Sequence, residues 1–211
     1  MYHLAPDFLT EEQIADIVSV GDESPLQDGL VHPSPRKGIG PPFVDKSIMS
    51  VQAAPLKLDD TTKLGWLNGQ LSCLAEDVKD VFEENEYPID DIEGGMERYW
   101  EPTLEWPGVP SVTYLEYGLN DHYGWHKDFS ATADGSPRTR VLSHIIQLSD
   151  VNECSGGDLV MKIGKRETTM PSQTGLCCSI LSKEVSYKIT PVTYGTKKVL
   201  MAWTHSAPKE L

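Results

Sequence analysis

The clearest helical pattern in the chain lies between residues 59 and 84. Apolar side chains recur there at steps of three and four and so share one face of a helix; they are Leu64, Leu67, Leu71, Leu74, Val78 and Val81. Two aspartates and a threonine at the start of the segment supply capping groups and negative charge for the positive end of the helix. A shorter helix is predicted to begin after Thr10, because Thr10 and Gln13 have the spacing of a capping box.

Beyond residue 86 the pattern changes to short segments rich in Val, Ile, Tyr and Thr between Gly, Pro and Asp turns. It predicts strands over residues 112–117, 141–148, 158–163, 176–181, 186–192 and 197–204. A further strand is predicted over residues 47–53, and residues 21–44, which have no period, are predicted to form a long irregular loop. This order predicts a mainly β (α+β) fold, a sandwich or jelly roll supported by N-terminal helices.

The chain has 211 residues, enough for one substantial domain. It shows no internal repeat and no change of composition that would separate a second domain. We therefore expect a single domain over residues 1–211. Within it, residues 1–100 would form a helical support and loop region, and residues 101–211 the β core.

Charge and composition exclude several classes of partner. The chain carries 18 basic and 32 acidic residues, a net charge of −14, which would repel a nucleic acid from most of the surface. It contains no apolar run of 18 residues and no signal-peptide pattern, so we expect a soluble, cytoplasmic protein that does not bind membranes. Adjacent Cys177 and Cys178 are predicted to be small buried thiols in a reducing compartment.

Candidate chemistry is concentrated at His126-Lys-Asp128. In an extended segment, residues i and i+2 point to the same side, so this imidazole and this carboxylate can converge on one ion. They would supply two of the three ligands in the 2-His-1-carboxylate arrangement that holds non-haem Fe(II). A His-x-Asp pattern alone is frequent by chance, and further motifs are needed to give it weight.

Those motifs follow in order. They are a strand over residues 140–148, the turn Cys154-Ser-Gly-Gly-Asp-Leu159, the segment 181–192 that ends in Pro-Val, Gly195-Thr-Lys197, and Trp203. In type, order and spacing they resemble the Fe(II)- and 2-oxoglutarate-dependent dioxygenases, specifically the prolyl-4-hydroxylase-like branch. The resemblance covers about residues 112–204 and implies a double-stranded β-helix, a jelly-roll barrel with the metal at one mouth.

The resemblance also implies roles for single residues. His126 and Asp128 fall on the first two iron ligands, and Lys197 falls on the basic residue that binds the distal carboxylate of 2-oxoglutarate. A charge-assisted pair of this kind suits a dicarboxylate in a site with little solvent. Tyr117 falls on a tyrosine that commonly contacts the same co-substrate, although plain core packing explains it equally well. Asn120 stands where the family usually has glycine and tolerates the left-handed conformation.

The sequence departs from the family at one ligand. The third iron ligand is a histidine four residues before Pro-Val, and this chain has Tyr187 there. Tyr187 could bind iron as a phenolate, the site could bind metal weakly or not at all, or Tyr187 could be an engineered substitution. Three histidines are candidate replacements, although a structural or surface role is the default for each; they are His122, His144 and His205.

By resemblance, the expected function is an Fe(II)- and 2-oxoglutarate-dependent dioxygenase that hydroxylates an unactivated C–H bond with O2. Prolyl residues of a protein or peptide are the leading substrate, small molecules remain open, and ascorbate is a candidate accessory reductant. The alternative is a catalytically impaired or non-catalytic protein that binds 2-oxoglutarate or a peptide on the same barrel. A cupin-like metal protein that uses no 2-oxoglutarate is a third reading, and Lys197 argues against it.

Overall fold

The computed structural model describes residues 2–31, 43–58, 61–84, 112–128 and 140–205. These residues form two helices, α1 (Glu11–Glu23) and α2 (Gly65–Glu84), and a set of short strands. The strands are β1 (Tyr2–Ala5), β2 (Gln27–Asp28), β3 (Met49–Ser50), β4 (Gln52–Pro55), β5 (Val112–Tyr117), β6 (His122–His126), β7 (Arg140–Gln147), β8 (Ser155–Gly156), β9 (Leu159–Ile163), β10 (Arg166–Thr169), β11 (Cys177–Leu181), β12 (Ser186–Ile189), β13 (Val192–Tyr194) and β14 (Lys197–His205).

Helix α1 begins as the sequence predicts. The side chain of Thr10 accepts a hydrogen bond from the Gln13 backbone N–H at 3.3 Å, and the Gln13 side chain accepts one from the Thr10 N–H at 2.9 Å. This reciprocal capping box satisfies two N–H groups that a helix start leaves unpaired. The helix continues to Glu23, so the predicted loop over residues 21–44 begins too early.

Helix α2 confirms the predicted apolar stripe but begins later than predicted. Leu64, Leu67 and Val78 have no exposed surface, and the stripe packs into the core with α1. The first helical residue is Gly65, whose N–H donates to the carbonyl of Thr62 at 3.2 Å in a preceding turn. Residues 61–64 are therefore not helical, and the two aspartates predicted as caps lie outside the described residues.

Two antiparallel sheets form the body of the structure. A seven-stranded sheet has the order β1-β11-β7-β14-β5-β4-β2, and a five-stranded sheet has the order β10-β9-β12-β6-β3. Inward-facing side chains from both sheets, such as Met161, Ile180 and Met201, pack into one apolar cluster. The opposite face of the larger sheet packs against both helices, so the described residues form three layers.

Three predicted segments are divided differently in the structure. The strand expected over residues 47–53 is two strands, β3 and β4, which belong to different sheets. The strand expected over residues 186–192 is also two strands, because Pro191 has no N–H to continue the ladder. The loop predicted over residues 21–44 contains β2 and an antiparallel bridge between Val31 and Phe43.

The cysteines confirm the prediction for the adjacent pair. All four are free thiols, and Cys177 and Cys178 are buried, with 0% and 2% of their surface exposed. Burial raises the pKa of the Cys177 thiol to about 12. Cys154 is also buried, whereas Cys73 on α2 is exposed.

Among the described residues, no helix is long and apolar enough to cross a membrane. The predicted boundary between residues 100 and 101 lies outside the described residues. Strands β1, β3 and β4, from the first 55 residues, nevertheless pair with later strands, namely β11, β6 and β5.

Candidate active site

His126 is the last residue of β6, and its imidazole contacts two aromatic rings. The ring of Tyr123 stacks on it with centroids 3.5 Å apart and planes within 13°. The ring of Tyr187 of β12, the cross-strand partner of His126, is tilted by 57° to the imidazole, with ring centroids 4.1 Å apart. This packing fixes the orientation of the imidazole.

The two ring nitrogens of His126 have different environments. Nδ1 lies 2.8 Å from the carbonyl oxygen of Gly124, which can only accept, so Nδ1 carries the proton. Nε2 is then a lone-pair donor, and it is buried without a hydrogen-bond partner among the described residues. A backbone carbonyl on Nδ1 and a free Nε2 are the arrangement typical of a metal-ligating histidine.

Asp128 follows two residues later and is only 8% exposed. Its Oδ1 lies 3.5 Å from His126 Nε2. Its Oδ2 accepts hydrogen bonds from the Tyr187 hydroxyl and from the Trp203 indole N–H, each at 3.0 Å. Burial raises the pKa of Asp128, but the hydrogen bond and charge that His126 provides when its imidazole is doubly protonated, and then the charge of Arg140, outweigh burial, so that the pKa lies well below its usual range.

Tyr187 is also buried, with 2% of its surface exposed. Burial, then the charge of Asp128 and the neighbouring tyrosines, raise the pKa of its phenol well above the ordinary value. The phenol therefore stays protonated and donates to the carboxylate. The structure thus brings together three predicted site residues, His126, Asp128 and Tyr187, whose side chains meet at the buried Asp128 carboxylate.

Lys197 begins β14, opposite Tyr117 of β5, and is 4% exposed. Its ammonium group makes no hydrogen bond or ion pair with any residue that the structure describes. Burial lowers the pKa of Lys197, while the nearby Cys154 and Asp158 act in the opposite direction. Burying a cation without a direct hydrogen-bonded partner is unfavourable, and a bound anion would supply that partner.

Lys197 lines a cavity between the two sheets. Gln147, Asp158 and Ile189 also line this cavity, whereas His126 and Asp128 do not. Ile189 lies two residues from Tyr187 on the same strand, so the two places are neighbours along β12. Tyr117 is 1% exposed, and its phenol pKa is raised by burial and by the charges of Tyr123 and Asp128.

Two of the three candidate replacement histidines, His122 and His144, make hydrogen bonds elsewhere. His122 contacts the carbonyls of Asn120 and Ser47 at 3.2 and 3.4 Å. His144 is buried in the larger sheet and bonds to the hydroxyls of Ser179 and Thr204. The side chain of His205 lies outside the described residues. In the described part of the chain, no three His, Cys, Asp or Glu side chains are grouped to hold a metal.

Sequence reasoning missed two contacts at the site. The sequence marks Trp203 only as the last motif of the series, whereas in the structure its indole N–H donates to Asp128 and the Arg140 guanidinium lies 4.1 Å above its ring. Tyr123, which stacks on His126, carried no motif. By contrast, the left-handed backbone predicted for Asn120 is confirmed by a φ of 68°.

Comparison with known proteins finds one matching family model and several similar solved structures. Residues 112–205 match the family model described as the 2OG-Fe(II) oxygenase superfamily. No curated protein sequence matches the chain.

Solved structures of prolyl hydroxylases share the fold at low sequence identity. A Pseudomonas putida prolyl-4-hydroxylase is 14% identical, with a TM-score of 0.62, and the match covers 97% of this chain and 92% of that one. A Trichoplax adhaerens prolyl hydroxylase in complex with a hypoxia inducible factor peptide fragment is 12% identical, with a TM-score of 0.62 and coverage of 97% and 83%.

A viral collagen prolyl hydroxylase from Paramecium Bursaria Chlorella virus-1 is 10% identical, with a TM-score of 0.56 and coverage of 98% and 96%. These likenesses confirm the predicted double-stranded β-helix.

Proposed function

We propose that this protein is an Fe(II)- and 2-oxoglutarate-dependent oxygenase that uses O2 to hydroxylate a prolyl residue of a protein or peptide. The observation that carries the proposal is the pairing of a buried, unpartnered His126 Nε2 with Asp128 Oδ1 at 3.5 Å, inside a domain that matches this superfamily. When bound, iron and 2-oxoglutarate would supply the oxidising chemistry.

The residues around Asp128 fit such a metal. His126 Nε2 offers a lone pair fixed in direction by the bond from Nδ1 to Gly124, and Asp128 is an ionised carboxylate. We assign these two side chains as iron ligands, and Tyr187 to the place of the third ligand of the family. The rings of Tyr123 and Tyr187 pack against the imidazole of His126 and hold it in one orientation.

Lys197 is the residue that we assign to 2-oxoglutarate. Lys197 is buried, its ammonium has no hydrogen-bond partner among the described residues, and it lines a cavity whose wall includes Ile189, two residues from Tyr187, so it suits the distal carboxylate of a dicarboxylate. Tyr117, opposite Lys197 across the strand pair, is the second candidate contact. The ionic bond would remove the penalty of burying an uncompensated cation.

A prolyl substrate is supported by the fold likeness, since one of the similar structures holds a peptide fragment. Ascorbate would serve as a reductant that keeps the iron ferrous. Both points are tested by adding proline-containing peptides, with and without ascorbate, and searching the product for one added oxygen atom by mass spectrometry.

The decisive test is an anaerobic titration of the metal-free protein with Fe(II) and 2-oxoglutarate, read by the visible absorbance of the chelate. We expect a band in the natural protein and its loss in His126→Ala and Lys197→Ala. His122→Ala is the matched control, because His122 lies on the same strand but away from the site. On addition of O2, succinate should form. Absence of the band in the natural protein and in Tyr187→His would contradict the proposal.

A further inference from the structure

One oxygen of Asp128 is fully engaged by the protein. Oδ2 accepts from the Tyr187 hydroxyl on β12 and from the Trp203 indole on β14, at 3.0 Å each. A carboxylate oxygen has two lone-pair directions, and these two donors use both. Oδ1 is the oxygen nearer to His126 Nε2. The two donors therefore decide which carboxylate oxygen a metal would meet.

The Tyr187 hydroxyl has a single proton, and the structure uses it on Asp128. To bind a metal as phenolate, Tyr187 would give up this bond and leave Oδ2 with one donor fewer. As a hydrogen-bond donor, the same side chain keeps the carboxylate oriented and adds no charge.

Building on the proposed function, we infer that Tyr187 is a positioning residue that orients Asp128, and that it is not a metal ligand. His126 Nε2 and Asp128 Oδ1 are then the two protein ligands in the described part of the site. A small donor from solution, such as water or azide, would then be the third metal ligand. The family site with three protein ligands becomes a site with two protein ligands and one exchangeable ligand.

Trp203 provides a control that the chain itself offers. Its indole N–H donates to the same Oδ2 at the same distance as Tyr187, but an indole N–H has no lone pair with which to bind a metal. If Tyr187 acts only through Asp128, Tyr187→Phe and Trp203→Phe remove equivalent hydrogen bonds. Loss of an outer hydrogen bond of this kind lowers metal affinity about 10–100-fold.

The experiment measures Co(II) affinity by calorimetry for the natural protein, Tyr187→Phe, Trp203→Phe and Tyr187→His, with thermal unfolding of each metal-free protein as the folding control. We expect the two Phe variants to lose affinity by similar factors, about 10–100-fold. Tyr187→His should bind more tightly than the natural protein because it restores a third ligand. Azide should change the Co(II) absorption spectrum of the natural protein and have a smaller effect on that of Tyr187→His.

A second readout uses Fe(III), because a bound phenolate gives an intense visible charge-transfer band. We expect no such band in the natural protein. A band that disappears in Tyr187→Phe and persists in Trp203→Phe would overturn the inference and make Tyr187 a ligand. If Tyr187→His binds metal and the natural protein does not, Tyr187 blocks the site, which also overturns it. If neither binds metal, the proposed function fails as well.

Discussion

Gly157 has no side chain, and the stem of Lys197 lies where one would be. A Cβ atom on Gly157 would stand 2.6 Å from Cδ of Lys197, closer than real carbon atoms pack. The backbone of Gly157 is also left-handed, with a φ of 64°. From sequence, the Gly156-Gly157 pair indicated only a turn. The structure gives it a second role, because the missing side chain makes room for the cation that we assign to 2-oxoglutarate.

We predict that Gly157→Ala weakens 2-oxoglutarate binding, because the new methyl group displaces the Lys197 stem. The left-handed backbone should also lower the free energy of unfolding by about 1–2 kcal/mol. Gly164→Ala is the matched control, since Gly164 has a φ of 63° and no atom within 4 Å of its Cβ position. Urea unfolding and calorimetric titration separate the two effects. Equal 2-oxoglutarate affinities in both variants would show that the contact with Lys197 is unimportant.

At the scale of elements, the sequence predicts those helices and strands that a local pattern of apolar and polar residues marks. Strand β5 has the predicted bounds, residues 112–117, and the apolar stripe of α2 is buried. Strand β1 was missed because its partner β11 is far away in sequence, so no local period marks it. The metal-binding pair is visible as a motif, whereas the bond from Trp203 to Asp128 joins residues 75 apart and depends on how β14 crosses the barrel.

The larger sheet contains a buried titratable group, His144 of β7. Burial lowers its pKa from 6.5 to about 4, so the folded protein keeps it neutral in a range where the unfolded chain takes up a proton. The hydroxyls of Ser179 and Thr204 satisfy both ring nitrogens without adding charge. Stability should therefore decrease as the pH falls from about 6.5 to about 4.

We predict that His144→Gln removes this part of the pH dependence. A pKa difference of one unit corresponds to about 1.4 kcal/mol. Between pH 6.5 and pH 4, the free energy of unfolding of the natural protein should therefore fall by about 3 kcal/mol more than that of the variant. The measurement is urea unfolding at a series of pH values. His122→Gln serves as the control, because His122 is the first residue of β6 in the smaller sheet and is not fully buried. If the free energy of unfolding depends on pH in the same way in the natural protein and in His144→Gln, His144 is not the source of the pH dependence.

At the scale of the whole molecule, the net charge of the chain is negative, whereas the residue assigned to bind 2-oxoglutarate is a cation. The chain has a net charge of −14, yet the cavity that we assign to a dicarboxylate is built around the buried Lys197. Long-range repulsion acts on the approach of an anion and is screened by salt within about 10 Å at 0.1 M. The attraction inside the cavity is screened much less, because solvent is largely excluded there.

We predict that salt accelerates the binding of 2-oxoglutarate. Raising the ionic strength should increase the association rate constant and change the dissociation rate constant little, which stopped-flow measurements can resolve. A neutral analogue, the dimethyl ester of 2-oxoglutarate, should show no salt dependence of association. An association rate that falls with salt would mean that a local positive field guides the ligand in spite of the overall charge.

The unequal exposure of the four thiols has a practical consequence for spectroscopy. Cys154, Cys177 and Cys178 are buried, whereas Cys73 on α2 is exposed. Because a thiolate is the reactive form, the high pKa of Cys177 protects it further from alkylation. A maleimide fluorophore should therefore attach to the natural chain at Cys73 alone, without mutagenesis. The label would report from the helical layer, on the far side of the larger sheet from the metal-binding pair.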